Sequence, residues 1–346
     1  VVVVTRVLVV NPGSSSLKLS LVHGTEIEHA ETLQRWDGED GPLSEVLQAW
    51  EPDAVGHRVV HGGDLEHHAV VDDDVEQHLA DWATFAPDHQ QQSIDAVAAV
   101  RRLRPDLEQV VCFDTVFHRT MPAAAATYAV PQRWRDLGVR RFGFHGLAHA
   151  SAARQVEERL GVSAARRHVS CHLGSGASLC AILGGRSIDT TMGMTPLEGL
   201  VMGERSGTVD PAVVPWLVQQ HGMDVADVDA TLRHHSGLLA LGGSPDVAAL
   251  LDQPDRHAAL AVDVYVHRVV AGVGAMVAAL GGLDVLTFSG GVGENVPAVR
   301  QRVTDSLGHL GVAGGGDADA GPVLVLPADE EREIAAATLD LLAGRA

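Results

Sequence analysis

Asn11 and His172 head two stretches of sequence that echo one another. Val9-Val10-Asn11-Pro12-Gly13-Ser14-Ser15-Ser16-Leu17 and Ser170-Cys171-His172-Leu173-Gly174-Ser175-Gly176-Ala177-Ser178-Leu179 each run from an apolar strand into a polar residue. Each then continues through x-Gly-Ser and small residues into a second apolar strand. Both read as β-hairpins with tips of Gly and Ser. The pair predicts two structurally similar domains, each contributing one tip to a shared cleft, with a chance match of small residues as the competing reading. A length of 346 residues is ample for two domains. Strand-like runs at 7–10, 55–60, 110–113, 168–173, 178–183, 285–289 and 323–326 mix with helical patterns at 94–103, 147–160, 211–221, 246–251, 257–280, 296–310 and 330–342. That mixture is an α/β pattern, and several of the strands are apolar without alternation, as strands covered on both faces are.

Charge narrows the function. With 25 Lys and Arg against 45 Asp and Glu the formal net charge is −20, a field that repels nucleic acid and anionic lipid. An anionic substrate would have to be captured by a few placed cations. Cys112, Cys171 and Cys180 lie in or beside apolar runs and read as buried free thiols of a reducing compartment. Residues 1–10 resemble a first core strand more than a signal peptide. The longest uncharged apolar run, 269–283, is about 15 residues, short of the ~20 that cross a bilayer. A cytoplasmic protein with no membrane or nucleic-acid partner is the expectation.

Gly and Ser tips let backbone N–H groups approach an anion, so both tips suit phosphate, although a plain tight hairpin needs the same residues. Lys18 lies on the same strand face as Ser14 and Ser16. Asn11 could hydrogen-bond a ligand oxygen or a metal-bound water, or simply open a turn. Neither the Walker spacing nor G-x-G-x-x-G behind a first strand occurs. A third Gly-rich stretch, 288–295, leaves a strand and enters a helix, as nucleotide sites at strand C-termini do. Arg58, on the strand face opposite His57, Val59 and His61, is a candidate anion clamp with no acidic neighbour in its motif. The His pairs 57/61, 145/149 and 168/172 lack a zinc ligand set, which favours structural or catalytic roles. Asp114, just past an apolar strand, either holds Mg²⁺ through water or caps the next segment. His145 sits between an aromatic and glycines, and Arg205 reaches from the glycine-framed 203–211. Two Arg, one His, one Asp and three Gly-rich loops describe an electrostatic site for phosphoryl transfer.

Asn11-Pro12-Gly13-Ser14-Ser15-Ser16-Leu17-Lys18, Gly56-His57-Arg58-Val59-Val60-His61-Gly62-Gly63, Phe113-Asp114-Thr115, Gly143-Phe144-His145-Gly146, His172-Leu173-Gly174, Thr195-Pro196-Leu197-Glu198-Gly199, Gly203 to Pro211 and Gly293-Glu294-Asn295 occur in that order across nearly the whole chain. The ordered set resembles the acetate kinase family. The resemblance implies two duplicated actin-like (ribonuclease H-like) domains with a nucleotide cleft between them, as in the acetate and sugar kinase, Hsp70 and actin superfamily. Its boundaries would be 1–118 plus 331–346 for the N-terminal domain and 119–330 for a C-terminal domain that binds nucleotide and dimerises.

Carried over residue by residue, the resemblance assigns Asn11 and Glu330 to Mg²⁺, with Mn²⁺ as an alternative ion. ATP or ADP would be held by Ser14, Ser16, Lys18, the segment His172, Leu173, Gly174, Ser175 and Gly176, the segment Asp246, Val247 and Ala248, and the segment Gly291, Val292, Gly293, Glu294 and Asn295. Arg58 and Arg205 would bind the carboxylate and the moving phosphoryl group, His145 would stabilise the transition state and Asp114 would be the catalytic acid. Val60, Phe144 and Pro196 would receive the acyl methyl, with His89 also at the substrate.

The sequence departs from the family pattern at Asp88, where an apolar pocket residue is usual, and at Gln90-Gln91-Gln92 in place of Asn-Pro-Pro. Ser175 replaces Asn, Ala248 replaces Arg, and the stretch between Lys18 and Arg58 is short. The implied activity is reversible phosphoryl transfer from MgATP to acetate by a homodimer. A kinase for propionate, butyrate or another short acid, and a non-catalytic ATP-binding regulator of the same superfamily, are the alternatives.

Overall fold

The computed structural model describes residues 5–13, 16–36, 38–83, 87–161, 166–312 and 323–344, with the backbone alone at 87–89. The chain divides into two compact units. One comprises Val1–Arg119, Phe144–Ser151 and Asp329–Ala346, and the other Thr120–Gly143 and Ala152–Ala328.

The first unit is built on a six-stranded sheet of β1 (Arg6–Pro12), β2 (Ser16–His23), β3 (Glu26–Gln34), β4 (Ala54–Val59), β5 (Ala69–Val70) and β6 (Glu108–Phe113) in the order β3-β2-β1-β4-β6-β5. Strands β1 and β2 form the expected antiparallel hairpin, β3 extends it, and β4 and β6 run parallel to β1. Helices cover both faces, which explains the unbroken apolar runs. Leu8, Val10 and Val55 pack with Leu43, Leu47, Ala96 and Val100 of the helices Asp40–Trp50 and Pro87–Leu103. The alternate residues Val7, Val9, Ala54 and Val110 pack with Ile334, Ala335 and Leu342 of the helix Glu330–Ala343. At Gly56 that helix comes so close that a Cβ would meet Ile334 Cγ2 at 2.8 Å.

The second unit has five strands, β7 (Arg167–Leu173), β8 (Ala177–Leu183), β9 (Arg186–Thr190), β10 (Val285–Ser289) and β11 (Val323–Val325), in the order β11-β10-β7-β8-β9. β7 and β8 are the second expected hairpin, β9 extends it antiparallel, and β10 and β11 run parallel to β7. Neighbour for neighbour and sense for sense, β9-β8-β7-β10-β11 repeats β3-β2-β1-β4-β6. The two echoing tips therefore occupy the same corner of the same topology. The helix Arg256–Leu280 packs on β7, β8 and β9. Its 25 residues are long and apolar enough to span a membrane by length and composition, longer than the uncharged run suggests. Asp263, His267 and Arg268 of the helix precede that run, while Val262, Tyr265, Val269, Val273 and Met276 form a buried stripe at helical spacing, the mark of a core helix.

Candidate active site

Three strands of the first unit end together. In the β1/β4/β6 registers Val10 pairs with His57 and Arg58 with Cys112, so Asn11, Arg58 and Asp114 emerge side by side. Arg58, with only 17% of its side chain exposed, donates from Nε and Nη2 to the two carboxylate oxygens of Asp114 at 3.2 and 2.8 Å. Its Nη1 donates to Asn11 Oδ1 at 3.2 Å and lies 3.5 Å from Glu330 Oε2. Asn11 Nδ2 in turn donates to Glu330 Oε2 at 3.1 Å and reaches Glu331 Oε1 at 3.4 Å. The acidic partner absent from the Arg58 motif thus comes from the neighbouring strand.

Electrostatics in this cluster are unbalanced. Burial opposes the Arg58 charge, but Asp114 and Glu330 outweigh it and hold its pKa above the ordinary value. Burial raises the Asp114 carboxyl, against the pull of Arg58, and Glu330 raises it further. Glu331 is also raised, by burial and then by its neighbour Glu330, with Lys18 opposing. Lys18 pairs with Asn11 across the hairpin and is exposed. Three carboxyl groups, with Lys18 acting on Glu331, thus crowd one guanidinium, and burial and this crowding raise Asp114 and Glu331.

His145 is pinned to the same cluster. Its φ of 56° is left-handed, a costly conformation for a side chain of this kind. Its backbone N–H donates to the Asp114 carboxylate, and the next N–H, of Gly146, donates to the Asp114 carbonyl at 2.9 Å. A Cβ at Gly146 would run into that carbonyl, so the turn requires glycine. The pocket candidates Val60 and Phe144 are both buried in this unit. Ser14 lies outside the described residues, as do the side chains of Asp88 and His89; Ser16 opens β2.

The remaining candidates gather in the second unit. At the β7/β8 tip the Gly174 N–H donates to Gly176 at 2.8 Å, and Ser175 accepts from the Gly203 N–H at 3.2 Å. His172 Nδ1 meets Ser289 Oγ at 3.2 Å, tying the tip to the end of β10. There the chain turns at Gly290 (φ 79°) into the helix Gly290–Asn295, and Glu294 accepts from the Gly290 N–H at 2.9 Å. Asp246 accepts from the Ala248 N–H and caps the helix Val247–Leu251, while Pro245 packs against Gly203. Leu173, Val292 and Gly293 belong to these same strand and helix ends. Arg205, on the Gly203 loop, donates to the Pro196 carbonyl at 3.4 Å. The tip, the Gly290 turn and the Gly203 loop are thus linked, a concentration of backbone N–H groups suited to phosphates.

Sequence reasoning misses several contributors. Glu331 is signalled only by a second acid in the first turn of its helix. Arg141 donates to Glu198 at 2.8 Å and to the carbonyls of Thr190, Thr191 and Met192, and Tyr128 also donates to Glu198. This network pins the loop that carries Pro196.

The chain matches the model of the Acetokinase family over residues 43–322. An acetate kinase of Trichormus variabilis is 40% identical over 315 residues, covering 89% of this chain and 78% of that protein. One from a Synechococcus species is 39% identical over 402 aligned residues, covering 98% and 100%. The crystal structure of Porphyromonas gingivalis acetate kinase superposes with a TM-score of 0.85 at 33% identity, over 98% of this chain and 100% of that one. A propionate kinase from Francisella tularensis gives 0.87 at 30%, over 96% and 98%. A ROK family protein from Streptococcus pneumoniae, at 0.50 and 10% identity, shares the fold alone.

Proposed function

Because the chain belongs to the acetokinase family, we propose that it transfers the γ-phosphoryl group of MgATP reversibly to acetate, giving acetyl phosphate and ADP. It is a kinase of the acetate kinase type, a phosphotransferase with a carboxyl group as acceptor. The observation that carries the reading is the buried Arg58 fork held by Asp114, Asn11 and Glu330. All three nitrogens of this planar guanidinium have partners, and Nη1 and Nη2, with two N–H groups each, are the atoms that would share their charge with an incoming anion.

Acetic acid has a pKa near that of Glu, ~4.3, so at neutral pH the nucleophile is already ionised and no base is needed. Asp114 therefore orients Arg58 and pins the His145 turn, and has no proton to abstract. An acetate oxygen forms its bond to the γ-phosphorus as the bond to the ADP oxygen breaks, and the electron pair leaves with ADP. Arg58 and Arg205 offset the charge of the two anions, and His145 donates to the transferring group. The loops 172–176, 246–248 and 291–295 hold the nucleotide.

Among the described residues no three His, Cys, Asp or Glu side chains form a closed metal cage. The oxygens of Asn11 and Glu330, in a cluster with surplus negative charge, suit a hard cation that keeps part of its water shell. When bound there, Mg²⁺ would neutralise phosphate charge, and Mn²⁺ is the substitute of similar chemistry. A homodimer is part of the proposal: the helix Val213–His221 buries none of its residues, although it carries Val213, Val214, Trp216, Leu217 and Val218. The three buried thiols support a reducing compartment, the cytoplasm.

The test is ATP- and Mg²⁺-dependent formation of acyl hydroxamate in the presence of hydroxylamine, with acetate, propionate and butyrate in parallel. Product from acetate, at higher kcat/KM than from the longer acids, is expected. Product from propionate or butyrate in preference would reassign the acid, and nucleotide binding with no product from any acid would overturn the proposal.

A further inference from the structure

Two of the three glutamines at 90–92, one of the departures from the family pattern, do different things. Gln91 donates to Asp95 on the helix surface. Gln90 is fully buried, on the stripe that continues through Ser93, Val97 and Val100 into the core. A primary amide in that position is costly unless both of its polar ends are matched. They are matched by one residue: Gln90 Oε1 accepts from the His61 N–H at 3.1 Å and Nε2 donates to the His61 carbonyl at 3.0 Å. The side chain thus pairs with the backbone just beyond β4 as another strand would.

His61 is in turn a hub. Its Nδ1 accepts from the Gly63 N–H at 2.9 Å, which places the ring proton on Nε2. The ring stacks on Trp82 at 5.3 Å between centroids and meets Phe144 edge-on at 5.4 Å. The turn is tight as well: a Cβ at Gly62 would lie 2.7 Å from the Phe113 ring, and one at Gly63 2.6 Å from the Trp82 ring. Val60, preceding His61, and Phe144, against its ring, are the two acyl-pocket residues of this unit.

We infer that Gln90 is a positioning residue that sets the acyl pocket, fixing Val60 and Phe144 through the backbone and ring of His61 and so governing how tightly, and at what chain length, the acid is held. The inference rests on the reading of this unit as the acid-binding half. Gln90 touches no reacting atom in this account, so its loss should be felt in acid recognition and not in nucleotide binding.

Gln90→Leu keeps the volume and removes both hydrogen bonds, and initial rates with acetate, propionate and butyrate give the readout. The KM for acetate should rise about tenfold with the KM for ATP within about twofold, because a small displacement of a positioning group is felt locally. The ratio of kcat/KM for propionate to that for acetate should also move by about threefold or more. An unchanged acetate KM, or parallel changes for acid and ATP, would overturn the inference. Should Gln90→Leu not fold, Gln90→Met keeps the unbranched shape of the side chain and likewise loses both bonds. The same criteria apply to it.

Hydrogen exchange of the peptide spanning 58–65 separates this claim from the function itself. If the unaltered protein phosphorylates none of the acids, faster exchange at 61–63 in the variant still supports the Gln90 clamp, and unchanged exchange rejects it.

Discussion

The role proposed for Arg58 sets two requirements that ordinarily conflict, since a guanidinium buried on a strand must be neutralised, yet an anion clamp must keep charge to spare. Asp114 occupies one edge of the fork, and Asn11 and Glu330 hold the remaining nitrogen, so the arginine is fixed without its planar face being consumed. Lysine would supply the charge but not the fork. Arg58→Lys is expected to lower kcat/KM for acetate about a hundredfold, as loss of bidentate positioning does, while thermal unfolding shifts far less than in Arg58→Ala. The alanine variant strands Asp114, 1% exposed, as a buried charge, which costs ~3–5 kcal/mol. Equal stability of the two variants would contradict this assignment of Asp114. Asn11, Arg58, Asp114 and His145 were legible in the sequence because each stands out against an apolar strand or a pair of glycines. Glu331 and Gln90 were not, because their partners, Asn11 and His61, are remote in the chain.

Among elements, the strands legible from pattern are β1, β4, β6, β7, β8 and β10, which are buried on both faces, and the short apolar edge strand β11. The missed ones are polar edges: β3, Glu-Ile-Glu-His-Ala-Glu-Thr-Leu-Gln, is exposed along nearly its whole length, and β9, Arg-Ser-Ile-Asp-Thr, lies at the edge beside β8. A strand that buries little carries no hydrophobic period, and charged residues at an edge discourage pairing with other chains. The two-residue β5 is too short to leave a pattern.

The central strands also carry buried histidines, one in each unit. His57 on β4 is held down to about 4 by burial, and His168 on β7 to about 3 by the same cause. In the unfolded chain both titrate near 6.5, so protons bind the unfolded state first as the pH falls. Stability is fully present above about pH 6.5 and declines below it, by about 1.4 kcal/mol per pH unit for each histidine until its folded pKa is reached. Urea unfolding at pH 7 and 5.5 should differ by about 2.5 kcal/mol from these two groups. A stability independent of pH across that window would show that both are already protonated in the native state.

For the whole molecule, duplication was visible in two tips of Gly and Ser because a tip is short, local and unusual in composition. The repeated strand order that makes the duplication physical was not visible, since pairing partners such as β7 and β10 are separated by several helices. A net charge of −20 poses the problem that the site answers locally. The bulk field repels acetate and ATP alike, and the proposed function assigns the compensation to Arg58 of one unit and Arg205 of the other. Acetyl phosphate formation from MgATP and acetate, followed by phosphorus NMR for the unaltered protein, Arg58→Ala and Arg205→Ala side by side, tests this most directly. The unaltered protein should accumulate acetyl phosphate and ADP together, and each variant should do so slower by about a thousandfold or more. Near-normal acetyl phosphate formation by either variant would contradict the account.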